Sequence, residues 1–308
     1  MKILHYFLGF PPYRTGGMTK FAYDLMRTQL EQGSDVVALW PGQIKLLSSS
    51  IIIKPSKVVE GIKNFEIINP LPISYDEGIA NVVAFTKECN PKVYETFLKK
   101  ENPDAIHIHT LMGLHKEFVE VAKRLGIKTV YTTHDFFPIC PKVTLYRNGM
   151  ICDGCIDNCP NCNSTALSLN KIVLLQEPLY RKLKDSSVVK QFRKKHRSDF
   201  LSEKAEKTSI VSSDDYKRLR DYYLSILKLI DVIHFNSEIT KNAYEKYLEL
   251  NSSVVVPITH KDIQDRRSIK QFGSNLRLSY LGPGGAGKGF FCLRRHLMIC
   301  GRKDKISA

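Results

Sequence analysis

The sequence has no run approaching the roughly 18 consecutive apolar residues that a membrane-spanning helix needs. Its opening, MKILHYFLGFPPYR, is too short and too Pro-broken to read as a signal peptide. Both features predict a cytoplasmic protein, and the eight cysteines are then expected as thiols or metal ligands rather than disulfides. Acid is in short supply, with 31 Asp and Glu against 46 Lys and Arg. The resulting net charge of +15 predicts attraction to something anionic, whether nucleic acid, an anionic membrane or a phosphorylated small molecule. The dinucleotide fingerprint G-x-G-x-x-G is missing, and the second strand ends in Trp40-Pro41 with no acid for a ribose. An NAD enzyme is disfavoured on both counts. There is no internal repeat and no low-complexity tract.

Apolar residues make up 43% of the 308 positions, enough for a sizeable core. Residues 2–8 read as a buried strand, followed by a loop with Pro11, Pro12, Gly16 and Gly17. A helix is predicted from Met18 to Gln32, with Met18, Phe21, Ala22 and Leu25 as its apolar face and Gly33 at its end. Residues 35–40 complete a βαβ unit, which implies a parallel sheet. The pattern recurs with strands at 104–109 and 127–133 around a helix that carries Leu114, Phe118, Val121, Ala122 and Leu125 and closes at Gly126. Further strands are expected at 208–212, 232–236, 253–256 and 277–281, with helices at 214–229 and 238–249. The predicted class is α/β with a doubly wound, mostly parallel sheet. Two regions break the pattern: 138–165, rich in Cys, Pro, Gly and Asn, and 181–197, with eight Lys or Arg against Asp185.

In open α/β sheets, ligands sit beyond the carboxyl ends of the strands. Gly16-Gly17 occupies that position after strand one, at a helix N-terminus where backbone N–H groups can face an anion. The alternative reading is a turn that merely feeds the helix. His107 and His109 alternate on one strand and share a face; His109 lies near the cleft, and His107 reads as structural. His134-Asp135 closes the next strand, where a histidine can accept a proton or bind a hydroxyl. Residues 282–289, GPGGAGKG, nearly match a P-loop, but Gly289 replaces the Ser or Thr that holds Mg²⁺. Gly282 and Lys288 remain a pyrophosphate cradle. Cys140, Cys152-x-x-Cys155 and Cys159-x-x-Cys162 allow structural zinc, although three residues between the pairs is tight for one tetrahedral ion. Disulfides and plain thiols are the other readings. The basic run suits either a solvated helix or an anionic lipid surface.

Taken in order, these features resemble family 4 glycosyltransferases, which have the two-domain GT-B fold. The matching residues are Pro11-Pro12 with Gly16-Gly17, Asn69-Pro70-Leu71-Pro72, Asn102-Pro103-Asp104 with IHIHTLMGL, and His134-Asp135-Phe136-Phe137. The Cys-rich insert, Asp231-Val232-Ile233 with Asn236-Ser237, and LGPGGAGKGF continue the series. The resemblance implies a Rossmann-like, GT-B N-terminal half over residues 1–260 that binds the acceptor, with the insert at 138–165. Residues 261–308 would begin a Rossmann-like donor-binding domain. It also implies sugar transfer with retention from a nucleotide-sugar donor to a glycan or lipid-linked acceptor in surface polysaccharide synthesis, with no metal cofactor for catalysis.

In that scheme His134 is the catalytic-site histidine, and Gly16, Gly17, Gly282 and Lys288 bind donor phosphate. His109, Asp135 and Ser237 lie on the acceptor side. Pro283 stands near the place where the family commonly has an Arg. The family's second domain, with its paired glutamates, would extend well past Phe290. RRHLMICGRKDKISA, with five Lys or Arg and no helical stripe, reads instead as a frameshift or premature stop, which predicts little or no transfer by this chain alone. Peripheral contact with the inner membrane face and no nucleic-acid partner are expected. The competing readings are a non-catalytic binding protein and a zinc-stabilised basic nucleic-acid-binding module.

Overall fold

The computed structural model describes residues 1–45, 48–75, 77–147, 150–152, 154, 156–183, 186, 211–250, 252–265, 280 and 290–300. The chain opens with β1 (Lys2–Tyr6), α1 (Gly17–Glu31) and β2 (Asp35–Pro41). A hairpin of β3 (Ile52–Val59) and β4 (Ile62–Ile68) follows, then α2 (Val82–Phe85) and α3 (Lys92–Glu101). Next come β5 (Ala105–Ile108), α4 (Lys116–Arg124) and β6 (Lys128–Thr133). The Cys-rich insert holds a two-stranded ribbon, β7 (Tyr146–Arg147) and β8 (Met150–Ile151), and the short α5 (Cys159–Cys162). The remaining elements are α6 (Leu169–Gln176), α7 (Pro178–Leu183), α8 (Ser213–Leu227), β9 (Val232–Phe235), α9 (Glu238–Glu245), β10 (Ser253–Val255) and α10 (Phe290–Cys300).

Eight strands form one sheet in the order β10-β9-β6-β5-β1-β2-β4-β3. Every pairing is parallel except β3 with β4. The chain runs outward from β1 through β2, then returns to place β5 on the other side of β1. The topological switch therefore lies between β1 and β5, where such sheets open a crevice.

Alternation along the strands divides the interior in two. Leu4, Tyr6, Val37, Leu39, Ile106 and Ile108 point to one face and meet Tyr94, Phe97, Phe118, Val121, Tyr223 and Leu227 from α3, α4 and α8. Val36, Ala38 and Trp40 point to the other face and meet Ala22 and Met26 of α1. Phe118 is fully buried, which contributes roughly 2–3 kcal/mol at usual transfer values. The predicted apolar face of α1 is rotated: Thr19, Ala22 and Met26 are the buried residues, while Met18, Phe21 and Leu25 are half-buried. Gly33 and Gly126 end their helices at φ of +83° and +70°, the left-handed conformation expected of them.

Side chains also tie the strand starts together. Asp231 Oδ2 accepts from Thr129 N at 2.8 Å and from Thr129 Oγ1 at 3.0 Å, which locks β9 to β6. Asp231→Ala would leave a partly buried N–H unpaired. It is expected to cost about 1–3 kcal/mol, readable as a lower urea midpoint at unchanged slope.

Three expectations need correction. Val211 and Ser212 are not in a strand, and residues 208–210 lie outside the described residues. Ser212 instead caps α8 in a reciprocal capping box with Asp215, which satisfies helix N–H groups that a strand would not present. Residues 294–300 are helical despite lacking an apolar stripe, because Leu, Arg and Met are good helix formers by themselves. Tyr280, the one described residue of the expected strand 277–281, is not in a strand. Residues 187–197 of the basic run, like most of 266–289, lie outside the described residues.

Candidate functional site

The loops after β1, β5, β6 and β9 all emerge at the carboxyl edge of the sheet, and these four strands are neighbours. After β1, Gly16 adopts φ of +121°, which a side chain would resist. A Cβ at Gly16 or Gly17 would meet nothing within 4 Å, so the backbone there is open to an approaching ligand. Helix α1 starts with no side-chain cap on its first N–H groups. Its 15 residues present the positive end of a helix dipole at that opening, an arrangement suited to phosphate.

Histidines cross the sheet on the α1 face. The β1–β5 register pairs His5 with His107, and two residues further along β5 comes His109. His5 Nδ1 and His109 Nε2 are 3.1 Å apart, and His109 Nδ1 lies 3.4 Å from His134 Nε2. His107 stacks on His109 with ring centroids 4.2 Å apart. Phe21 of α1 leans on His109 and His134 at 5.9 and 5.2 Å, and so connects the glycine-started helix to the histidine row. Burial holds His5 and His134 down to about 4 and pushes His107 and His109 well below the ordinary value, with neighbouring imidazoles adding to the effect on all but His5. The rings are therefore neutral near pH 7.

Among the sequence-predicted residues, His134 follows β6 at the crevice, half-buried, with a buried Nδ1 that has no hydrogen-bond partner. His109 is 1% exposed, and both its nitrogens face other imidazoles, so it lies behind His134 rather than on the cleft surface. Asp135 Oδ1 accepts from Phe137 N at 2.9 Å, and the Asp135 carbonyl accepts from Tyr244 Oη at 2.9 Å. Ser237 is the N-cap of α9, its hydroxyl accepting from Thr240 N. Gly282 and Lys288 lie outside the described residues. His107 Nε2 bonds Thr132 Oγ1 at 2.7 Å, in keeping with a structural role. Sequence reasoning passed over His5 and Gln29, whose side chains meet at 2.7 Å. A lone histidine in KILHYFL gives no signal until β1 is paired with β5.

The insert places Cys140, Cys152, Cys159 and Cys162 around one small cavity with Arg220. Cys155 lies outside the described residues. Burial pushes Cys140 up and Cys159 up to about 12. Among the described residues no three of these sulfurs converge as ligands of one ion would; the closest such group is His5, His107 and His109, whose candidate ligand atoms lie within 4.8 Å of one another. A separate hollow of about 1180 Å³ opens beyond β4, lined by residues 44, 45 and 48–53 on one side and by α3 on the other. Asn69-Pro70-Leu71-Pro72 forms part of its wall, with Ile53, Phe65 and Phe97 as apolar lining and Lys45, Lys87, Lys92 and Lys100 around it.

The sheet order and the carboxyl-edge crevice are those of a Rossmann-like domain. Within that class, residues 15–152 match the model of glycosyltransferase family 4. The structure is also similar to the α,α-trehalose-phosphate synthase (UDP-forming) of Burkholderia xenovorans, solved in complex with glucose-6-phosphate. The identity is 11% and the TM-score 0.35, over 80% of this chain and 43% of that one. For the α,α-trehalose 6-phosphate synthase of Burkholderia multivorans the values are 11%, 0.34, 81% and 43%. The chain thus spans less than half the length of either structure. No curated protein sequence matches it. No helix among the described residues is long and apolar enough to cross a membrane.

Proposed function

We propose that this chain supplies the acceptor-side half of a retaining glycosyltransferase, which moves a sugar from a nucleotide-sugar donor to a glycan or lipid-linked acceptor of a surface polysaccharide. The observation that carries this reading is one edge of the sheet. There an uncapped, glycine-started helix suits the donor phosphates, and a neutral histidine offers an unpartnered nitrogen. Phe21, in the first turns of that helix, packs on His134 with ring centroids 5.2 Å apart. His134 accepts a hydrogen bond from a sugar hydroxyl and so orients the reacting ring. The apolar hollow ringed by lysines supports a lipid-linked acceptor carrying phosphate, and the charge of +15 supports peripheral contact with an anionic membrane. Gly282 and Lys288 complete the phosphate contacts in this reading. The zinc expected from the cysteine spacing is checked by metal content per chain in the purified protein.

The test is transfer of labelled sugar from a panel of nucleotide sugars to membrane lipid extracts, by the chain alone and with a donor-side domain supplied separately. Transfer with retained anomeric configuration is the expected result in at least the second case. His134→Ala should reduce kcat/KM by about tenfold or more, the worth of one hydrogen bond to the reacting sugar. No transfer to any acceptor under either condition would refute the proposal.

A further inference from the structure

We infer that Gln29, His5 and His109 form a one-way chain of hydrogen bonds that fixes His134 as the Nε2–H tautomer, with its Nδ1 left as a lone pair. The use of that lone pair by a sugar hydroxyl rests on the function proposed above. The chain of bonds does not.

The direction is set at the buried end. Gln29 Oε1 can only accept, so His5 Nε2, 2.7 Å away, must carry the proton. A neutral imidazole has one N–H, which makes His5 Nδ1 a lone pair. His109 Nε2, at 3.1 Å, therefore donates to it, and His109 Nδ1 is left as an acceptor. His134 Nε2 donates to that acceptor across 3.4 Å. Each ring passes the same polarity to the next, and the series stops at His134 Nδ1. That atom is shielded from solvent and unpaired, a costly state for an acceptor unless something donates to it during function.

The neighbouring histidines do not share this arrangement. His234 Nε2 donates to the Val256 carbonyl at 2.8 Å, so its Nδ1 accepts from Thr132 Oγ1 at 3.0 Å. Thr132 Oγ1 in turn accepts from His107 Nε2. This second series runs into backbone and closes there. His107 Nε2 is engaged by Thr132 Oγ1 at 2.7 Å, which favours the relay over a three-histidine metal site. Gln29 and His5 are thus positioning residues, acting through His109 on an atom several ångströms from either.

The experiment is long-range proton–nitrogen NMR of the full chain with nitrogen-15 histidine, which reports the tautomer of each ring. At about pH 8, where the rings are neutral, His5, His109 and His134 should all be Nε2–H. Gln29→Leu removes the anchor, and His134 should become a mixture of tautomers while the fold, checked by amide shifts, persists. Gln29→Glu again places an acceptor oxygen against His5 Nε2 and should restore the single tautomer. Finding His134 as Nδ1–H or mixed in the unaltered protein would overturn the inference, and that readout needs no variant to fold. So would a His134 tautomer indifferent to Gln29→Leu. Stoichiometric Zn²⁺ binding that shifts His5, His107 and His109 together would replace the relay with a metal site. Correct tautomers in a protein that transfers no sugar would leave the relay standing and remove the proposed function alone.

Discussion

Lowering the pH from 7 to about 5.5 is expected to bring the protein close to unfolding. His5, His107, His109, His115 and His134 are all held below the ordinary histidine value of 6.5, and His5, His115 and His134 sit at about 4. Burial is the leading cause in every case. Below 6.5 the unfolded chain takes up protons that the folded protein refuses, so stability falls as pH falls. The loss continues until His5, His115 and His134 themselves titrate near 4 in the folded protein. One pH unit below 6.5, each ring costs about 1.4 kcal/mol. Five such rings approach the whole stability of a typical domain, about 5–15 kcal/mol. Thermal midpoints should be flat above neutrality and drop steeply between about 6.5 and 4. Equal midpoints at about pH 7.5 and 5 would show that the histidines are not buried neutral.

Gly113→Ala should destabilise the fold by about 2–4 kcal/mol, although it adds one methyl group. Gly113 has φ of +77°, and a Cβ there would come within 2.6 Å of Pro41 Cβ and 3.0 Å of Tyr6 Oη. Both neighbours belong to strands, so neither can swing aside. Tyr6 Oη also donates to the Met112 carbonyl at 2.8 Å, and Leu71 N donates to Gly113 O at 3.2 Å. One glycine therefore holds the loop after β5 against β1 and against the Asn69–Pro72 segment. Denaturant titration gives the stability loss, and a cost under about 0.5 kcal/mol would mean that the loop can relax.

Much of the parallel sheet was legible because buried parallel strands are continuous apolar runs flanked by helix-period segments. DVVALW and IKTVYTT are of this kind. The β3–β4 hairpin was not legible. IIKPSKVV alternates poorly and contains Pro55, which argues against a strand anywhere but an edge. The rotation of α1 was hidden for a different reason. Phe21 has the hydrophobicity of a core residue yet faces the histidine row, a placement that depends on tertiary pairing rather than on helical period. His134 was visible as a histidine at a strand end. His5 and Gln29 were not, because their partners are remote in sequence and only the β1–β5 register brings them together.

The antiparallel β3 has a further consequence. It forms one margin of the sheet, where unpaired backbone would invite another chain to add a strand. Lys54, Pro55 and Lys57 occupy that margin, and its pairing with β4 slips between Ser56 and Val59. A missing amide proton, two positive charges and a local twist make it a poor template. This flank therefore resists self-association at high concentration and does not offer the sheet as a seed for fibrils.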